Sequence, residues 1–192
     1  MTKAELRNAA LKQRDAIGDE GRALFAARLA SVGPRLIREL SAGGERLVTS
    51  FYSAIGSEPD PMAMALALHA ADVPLALPVD WSHGARLVYR RWVPGNRLAS
   101  GPLGIVEPLP DAPELDPDVL FVPLVAFDRR GHRIGYGAGN LDRTLGALRA
   151  RRTIRVIGIA YAVQEERFIP SEPHDEPVDL VVTERDILRI QA

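Results

Sequence analysis

The spacing of apolar residues changes character along the chain, and this change limits the possible folds more than any other feature. Leu6, Ala9, Ala10 and Leu11 fall on one helical face, and after a break at Gly18 and Asp19 a second amphipathic pattern carries Leu24, Phe25, Leu29, Val32 and Leu36. Pro34 lies inside the second pattern, where it is expected to kink the helix or divide it. From there short apolar runs alternate with helical ones: RLVTSFY (46–52), VPLALPV (73–79), ARLVYRRW (85–92), LFVPLVAF (120–127), IRVIGIAYA (154–162) and DLVVTE (179–184) read as strands. ARLVYRRW alternates polar and apolar residues and suits a half-exposed edge, whereas Pro123 in LFVPLVAF costs one ladder hydrogen bond or marks a strand end. EPDPMAMALALHAA (58–71), opened by Pro61, and LDRTLGALRARR (141–152), basic toward its end, read as helices. Strand and helix in alternation predict an α/β fold of the three-layer, Rossmann-like kind, with a largely parallel sheet and two N-terminal helices before the first strand.

A length of 192 residues suits a single domain spanning 1–192, and the proline-dense stretch at 94–117 is expected to be an ordered surface excursion. Twenty-four Lys and Arg against 25 Asp and Glu leave a net charge of -1, so no global basic field points to nucleic acid. The absence of cysteine excludes a disulfide framework, a thiolate metal site and a cysteine nucleophile. The N-terminal segment interleaves charges with apolar residues, unlike a signal peptide, and the apolar region 62–79 is interrupted by His69, Asp72, Pro74 and Pro78. The expectation is a soluble, cytoplasmic, monomeric protein without a membrane partner.

The sequence GYGAGNLDR (135–143) sets three glycines at alternate positions just before a helix. Each costs folding entropy that alanine would spare, which suggests a backbone that a ligand must approach. The stretch is neither a Walker A loop nor the dinucleotide fingerprint. A tight turn with no ligand is one reading; an anion site at the helix N-terminus, with Asn140 as the cap, is the other.

LFVPLVAFDRRGHRIGYGAGNLDRTL (120–145) resembles the signature of the 5-formyltetrahydrofolate cyclo-ligase family, in which a strand ending in Phe-Asp leads through a basic turn into a glycine loop closed by Asp-Arg. KAELR (3–7), SEPD (57–60), LGIVEP (103–108) and IPSEPHDEPVDLVVTE (169–184) are similar to further motifs of the family, in order along nearly the whole chain. The resemblance implies ATP-dependent cyclisation of 5-formyltetrahydrofolate to 5,10-methenyltetrahydrofolate, with release of ADP and phosphate and with Mg2+ as cofactor. Phosphate has to be supplied because a formamide oxygen is a poor leaving group.

By this resemblance ATP is held by Lys3, Arg7, Arg133, Ile134, Gly135, Tyr136, Gly137, Ala138, Gly139, Asn140 and Leu141. The folate is held by Ile55, Glu58, Asp60, Tyr136 and the loop from Gly137 to Asn140, and magnesium by Asp142 and Asp179. Arg133, Tyr136 and Asp142 are the expected catalytic set. Such a phosphoryl transfer needs mainly positioning and cations. Lys3 and Arg7, four apart, share a helix face, although a solvated basic face reads the same way. Asp142 can equally be a first-turn acid complementing the helix dipole, Asp179 a turn residue before a strand, and SEPD a capped helix start. Phe51, Tyr52, Trp92 and Ile105 are candidates for an apolar wall, and His174 and Asp175 for supporting roles.

The family closes its glycine loop with an aromatic pair before the aspartate, whereas this chain has Asn140 and Leu141. Losing the rings removes stacking worth about 1–2 kcal/mol each. The departure motivates an alternative, a folate- or nucleotide-binding paralogue without turnover; a third reading is an α/β enzyme acting on another phosphorylated small molecule.

Overall fold

The computed structural model describes residues 1–79, 84–101 and 104–190, so Leu103, which opens the mid-chain motif, lies outside them. Among the described residues four α-helices, α1 (Lys3–Asp15), α2 (Asp19–Leu40), α3 (Met62–Ala70) and α4 (Asn140–Arg149), accompany eleven strands. Seven of these form the main sheet: β1 (Thr49–Ser50), β2 (Leu75–Val79), β3 (Val88–Trp92), β6 (Val119–Pro123), β9 (Arg155–Ile159), β10 (Leu180–Val182) and β11 (Ile187–Arg189). Their spatial order is β11-β10-β9-β6-β1-β2-β3. The five inner strands run parallel, and β3 and β11 close the two edges antiparallel. Two hairpins stand apart, β4 (Leu98–Ser100) with β5 (Val106–Pro108), and β7 (Ala126–Phe127) with β8 (Arg133–Ile134).

Period-2 alternation in the strands separates the layers. Leu75, Leu77, Val119, Phe121, Ile157, Ile159, Leu180 and Val182 join Phe25, Leu29 and Leu36 of α2 and Met64 and Leu68 of α3 in one core. The residues between them, Ala76, Leu120, Val122, Val156 and Val181, join Leu145 and Leu148 of α4 on the opposite face. The α/β three-layer expectation is met. A third, smaller cluster seats Leu6 and Ala10 of α1 on Val125, Ala126 and Ile134, so α1 lies over the β7–β8 hairpin.

Several expectations need correction. Helix α2 is not divided at Pro34 but continues through it to Leu40, because Phe25, Leu29 and Val32 before it and Leu36 and Ile37 after it are all buried. That packing outweighs the roughly 3 kcal/mol that an interior proline costs. The run at 46–52 contributes only Thr49 and Ser50 to the ladder, since the chain then leaves the sheet to build the rim of a cleft. LFVPLVAF divides after Pro123, the strand-end alternative, and its last residues pair in the separate hairpin. DLVVTE is not the last strand: β11 follows it, after a turn in which the Thr183 hydroxyl accepts the N–H groups of Arg185 and Asp186. The proline-dense excursion also holds the β4–β5 hairpin.

Strand order places the crevice. From β1 the chain proceeds through α3 to β2 on one side, while β6 lies on the other side of β1 and leads through α4 to β9. Beyond the carboxyl ends of β1 and β6 the connections diverge, the position at which open α/β sheets receive ligands.

Candidate active site

A cleft of about 490 Å3 opens at this point. Its floor is made of strand ends, Ser50 of β1, Pro78 of β2, and Phe121, Val122 and Pro123 of β6. One wall is the glycine loop with the first turn of α4, all of 133–142. This loop follows β8 rather than the buried strand β6 directly, so the β7–β8 hairpin is what presents it. The hairpin is shaped by Asp128, fully buried, whose carboxylate accepts the N–H groups of Arg130, His132 and Ile169 and pairs with the Arg130 guanidinium at 2.6 Å. Burial raises the Asp128 carboxyl, but these hydrogen bonds outweigh it and hold the group below its ordinary value.

Gly137 and Gly139 adopt φ of 96° and 70°, the left-handed region that glycine enters at no steric cost. Gly139, not Asn140, is the N-cap of α4, and it makes no side-chain cap bond. The chain reverses into the helix there, and Asn140 becomes the buried first helical residue. Two guanidinium groups tie down loop carbonyls: Arg7 donates from Nε to Gly135 O at 2.7 Å, and Arg143 from Nη2 to Ala138 O at 2.7 Å. The leading N–H groups of α4 have no intrahelical acceptor, so this wall offers amides and a positive dipole end to an anion.

The cations of the cleft come from two elements. A capping box, Thr2 with Glu5, fixes the start of α1 and so the register of Lys3 and Arg7, both lining residues. Lys3 pairs with Asp175 at 2.6 Å and Glu172 at 3.6 Å; partial burial lowers the ammonium, yet these partners lift it above its usual value. Burial raises the Asp175 carboxyl, and the hydrogen bond from Lys3 together with the Glu172 N–H takes it below the ordinary carboxylate value. Arg133, its side chain 6% exposed, donates to Asp142 Oδ1 at 2.9 Å.

The opposite wall comes from Phe51, Tyr52, Ser53, Ile55 and Glu58 with Leu87, Tyr89 and Ile105. Glu58, 6% exposed, accepts the Ile55 N–H at 2.9 Å. Burial pushes its carboxyl up, opposed by the Ile55 N–H, the charge of Arg14 and the Tyr136 hydroxyl, and it remains above the ordinary value. Tyr136, half exposed, is raised chiefly by burial.

The cleft therefore brings together Lys3, Arg7, Ile55, Glu58, Arg133, Ile134, Gly135, Tyr136, Gly137, Ala138, Gly139, Asn140, Leu141 and Asp142, with His174 and Asp175 at its margin. Phe51, Tyr52 and Ile105 line it as the apolar wall, while Trp92 stands behind, edge-on to Phe51 with centroids 5.2 Å apart. Asp60 does not line it; its carboxylate accepts the Met62 N–H at 2.9 Å where α3 begins. Asp179 does not either, because its carboxylate accepts the Val156 N–H at 2.7 Å and pairs with Arg149 at 3.5 Å. Arg149 also pairs with Glu176, whose backbone N–H donates to Asp142 at 3.0 Å, so the two aspartates are linked through Arg149 and Glu176. Among the described residues no group of three histidine or acidic side chains is placed to hold an ion. Asp142 Oδ2 has no hydrogen-bond partner among the described residues and borders the cleft, which fits an ion completed by phosphate oxygens and waters. Arg14, Tyr89 and, among the strand ends, Ser50, Pro78, Phe121, Val122 and Pro123 were not foreseen; these strand ends are recoverable from topology, whereas Arg14 reads in the sequence as a solvated helix end.

Comparison with known proteins places this geometry. A family model described as the 5-formyltetrahydrofolate cyclo-ligase family matches residues 1–184. A 5-formyltetrahydrofolate cyclo-ligase of Haemophilus influenzae is 38% identical over 101 residues, covering 50% of this chain and 54% of that protein, so the aligned part spans about half of its length. One of Mycolicibacterium smegmatis is 35% identical over 140 residues, covering 69% and 71%. The solution structure of 5,10-methenyltetrahydrofolate synthetase from Aquifex aeolicus is 28% identical, with a TM-score of 0.77 over 100% of this chain and 94% of that one. With the match extending over nearly every residue from α1 to β10, the chain belongs to the 5-formyltetrahydrofolate cyclo-ligase family.

Proposed function

We propose that this protein closes 5-formyltetrahydrofolate to 5,10-methenyltetrahydrofolate at the expense of ATP. One observation carries the reading: a single cleft has an amide-rich glycine loop with Lys3, Arg7 and Arg133 on one side and Ile55, Glu58 and an apolar wall on the other. The loop and cations hold the triphosphate, with Arg133 nearest the transferring group. The Glu58 carboxylate accepts hydrogen bonds from the amino-pyrimidine edge of the pterin, which rests on Phe51 and Ile105. Tyr136, projecting from the glycine loop, borders both ligands. The formyl oxygen attacks the terminal phosphorus and ADP leaves; N10 then attacks the activated carbon, and the phosphate departs with the former formyl oxygen. Positioning and charge neutralisation supply most of the acceleration.

Magnesium, when bound, neutralises charge on the phosphates, and Asp142 is the residue that would hold it, with Asp179 acting through Arg149 and Glu176. The setting is the cytoplasm, as a monomer of one domain; among the described residues no helix is long and apolar enough to cross a membrane. The test is to supply Mg-ATP and 5-formyltetrahydrofolate and follow the absorbance of the methenyl product together with ADP. Equimolar appearance supports the reading; no product at high enzyme overturns it. Asn140 and Leu141, which present no aromatic ring at the end of the loop, favour the second reading, binding without turnover, and tight ligand binding with no ADP release would select it.

A further inference from the structure

Arg14 lies in the last turn of α1, 2% exposed and outside the lining of the cleft. Its Nε donates to Ser57 Oγ at 2.9 Å and its Nη2 to the Tyr136 hydroxyl at 2.8 Å, and its guanidinium lies 5.9 Å from the Tyr136 ring centroid. Ser57 in turn donates to Asp15. The third nitrogen, Nη1, is buried with no hydrogen-bond partner among the described residues. Burying a guanidinium with one N–H group unmatched is costly, and a solvated arginine at a helix C-terminus would gain the dipole interaction without that cost. Stability alone gives no reason for this placement. What the placement does is join three elements that are far apart in sequence, α1, the turn at 57–58 and the glycine loop.

We propose that Arg14 is a positioning residue: from behind the wall it clamps Tyr136 of the glycine loop to the turn bearing Glu58, fixing the distance between the nucleotide side and the folate side of the cleft. The proposal rests on the folate reading given above. Its second effect is electrostatic. The groups facing the Glu58 carboxyl are Arg14 from α1, Tyr136 from the glycine loop, Tyr52 after β1 and the Ile55 N–H. Burial favours the neutral acid, and Arg14 supplies the positive charge that opposes it and keeps a carboxylate ready for the donor edge of the pterin.

The test is steady-state kinetics from pH 6 to 9 on the wild type, Arg14→Met and Arg14→Lys, with folding checked by circular dichroism. Arg14→Met should raise KM for the folate about tenfold or more, the usual loss for a charged hydrogen bond, and leave KM for ATP within about threefold. It should also move the acid limb of kcat/KM for the folate to higher pH. Arg14→Lys, which keeps the charge but cannot bridge both hydroxyls, should restore the limb and not the affinity. Equal rises in both KM values, or an unmoved limb, overturn the proposal. Should Arg14→Met fail to fold, a cycle of Arg14→Lys with Tyr136→Phe decides: non-additive effects on folate KM support the clamp, additive ones overturn it. A wild type without turnover strikes the proposed function beneath, whereas an active wild type with unselective Arg14 variants removes the clamp alone.

Discussion

Glu58 carries a conflict between stability and function. Its carboxyl is buried and raised above its ordinary value, yet the proposed role needs the ionised form. A group whose folded value exceeds its unfolded one contributes stability below the unfolded value, and that contribution is lost as the pH rises through the folded value. Glu58→Gln keeps an acceptor for the Ile55 N–H and has no charge to bury. It should therefore melt above the wild type at pH 8, with the difference closing below about pH 4, where both side chains are neutral. Its KM for the folate should rise about tenfold or more, because a charged acceptor becomes a neutral one. Thermal melts at the two pH values and a KM measurement check both halves; a variant that melts lower at pH 8 contradicts the account. Glu58 was a candidate in the sequence and lines the cleft, but its burial was not legible there, since that depends on α1 and the glycine loop closing over it.

At the scale of elements the β7–β8 hairpin matters most, because it delivers the glycine loop to the mouth of the sheet. Asp128 organises it through three N–H groups and one guanidinium. Asp128→Ala leaves those donors buried and unmatched and should cost about 3 kcal/mol by chemical denaturation at pH 7. Here the folded value is lowered, so the stability is present above the unfolded value and is lost as the pH falls through the folded one. The gap between wild type and variant should accordingly narrow in acid; a constant gap would contradict this. The helices were legible because residues such as Leu6 and Ala10 recur at helical spacing, and the buried strands because runs such as VPLALPV (73–79) and LFVP (120–123) are continuously apolar. What was not legible depended on distant partners. Pro34 stays in a helix because α3 packs there, Asp179 is engaged by Val156 rather than by its neighbours, and Arg14 is buried by Ser57 and Tyr136, 43 and 122 residues away.

Considered whole, the molecule is a three-layer scaffold whose strand order leaves one crevice, with α1 laid across it to add cations. The glycine loop was recognisable from its likeness to the family signature closed by Asp-Arg, and Phe51, Ile55 and Glu58 of the facing side were candidates too, but the floor between them is assembled from strand ends, Pro78 and Phe121 among them, that no local pattern marks. A ligand that binds the folded chain and not the unfolded one raises its melting temperature, by roughly 2.7 kcal/mol of stability at a hundred times the dissociation constant. Mg-ATP should do so, and Lys3→Met with Arg7→Met should diminish the shift. The most direct measurement follows the oxygen itself. With 5-formyltetrahydrofolate carrying oxygen-18 in the formyl group, turnover should place the label in the released phosphate, one labelled phosphate per ADP and per methenyl product. Unlabelled phosphate, or ring closure without ATP, would contradict transfer of the terminal phosphoryl group to the formyl oxygen.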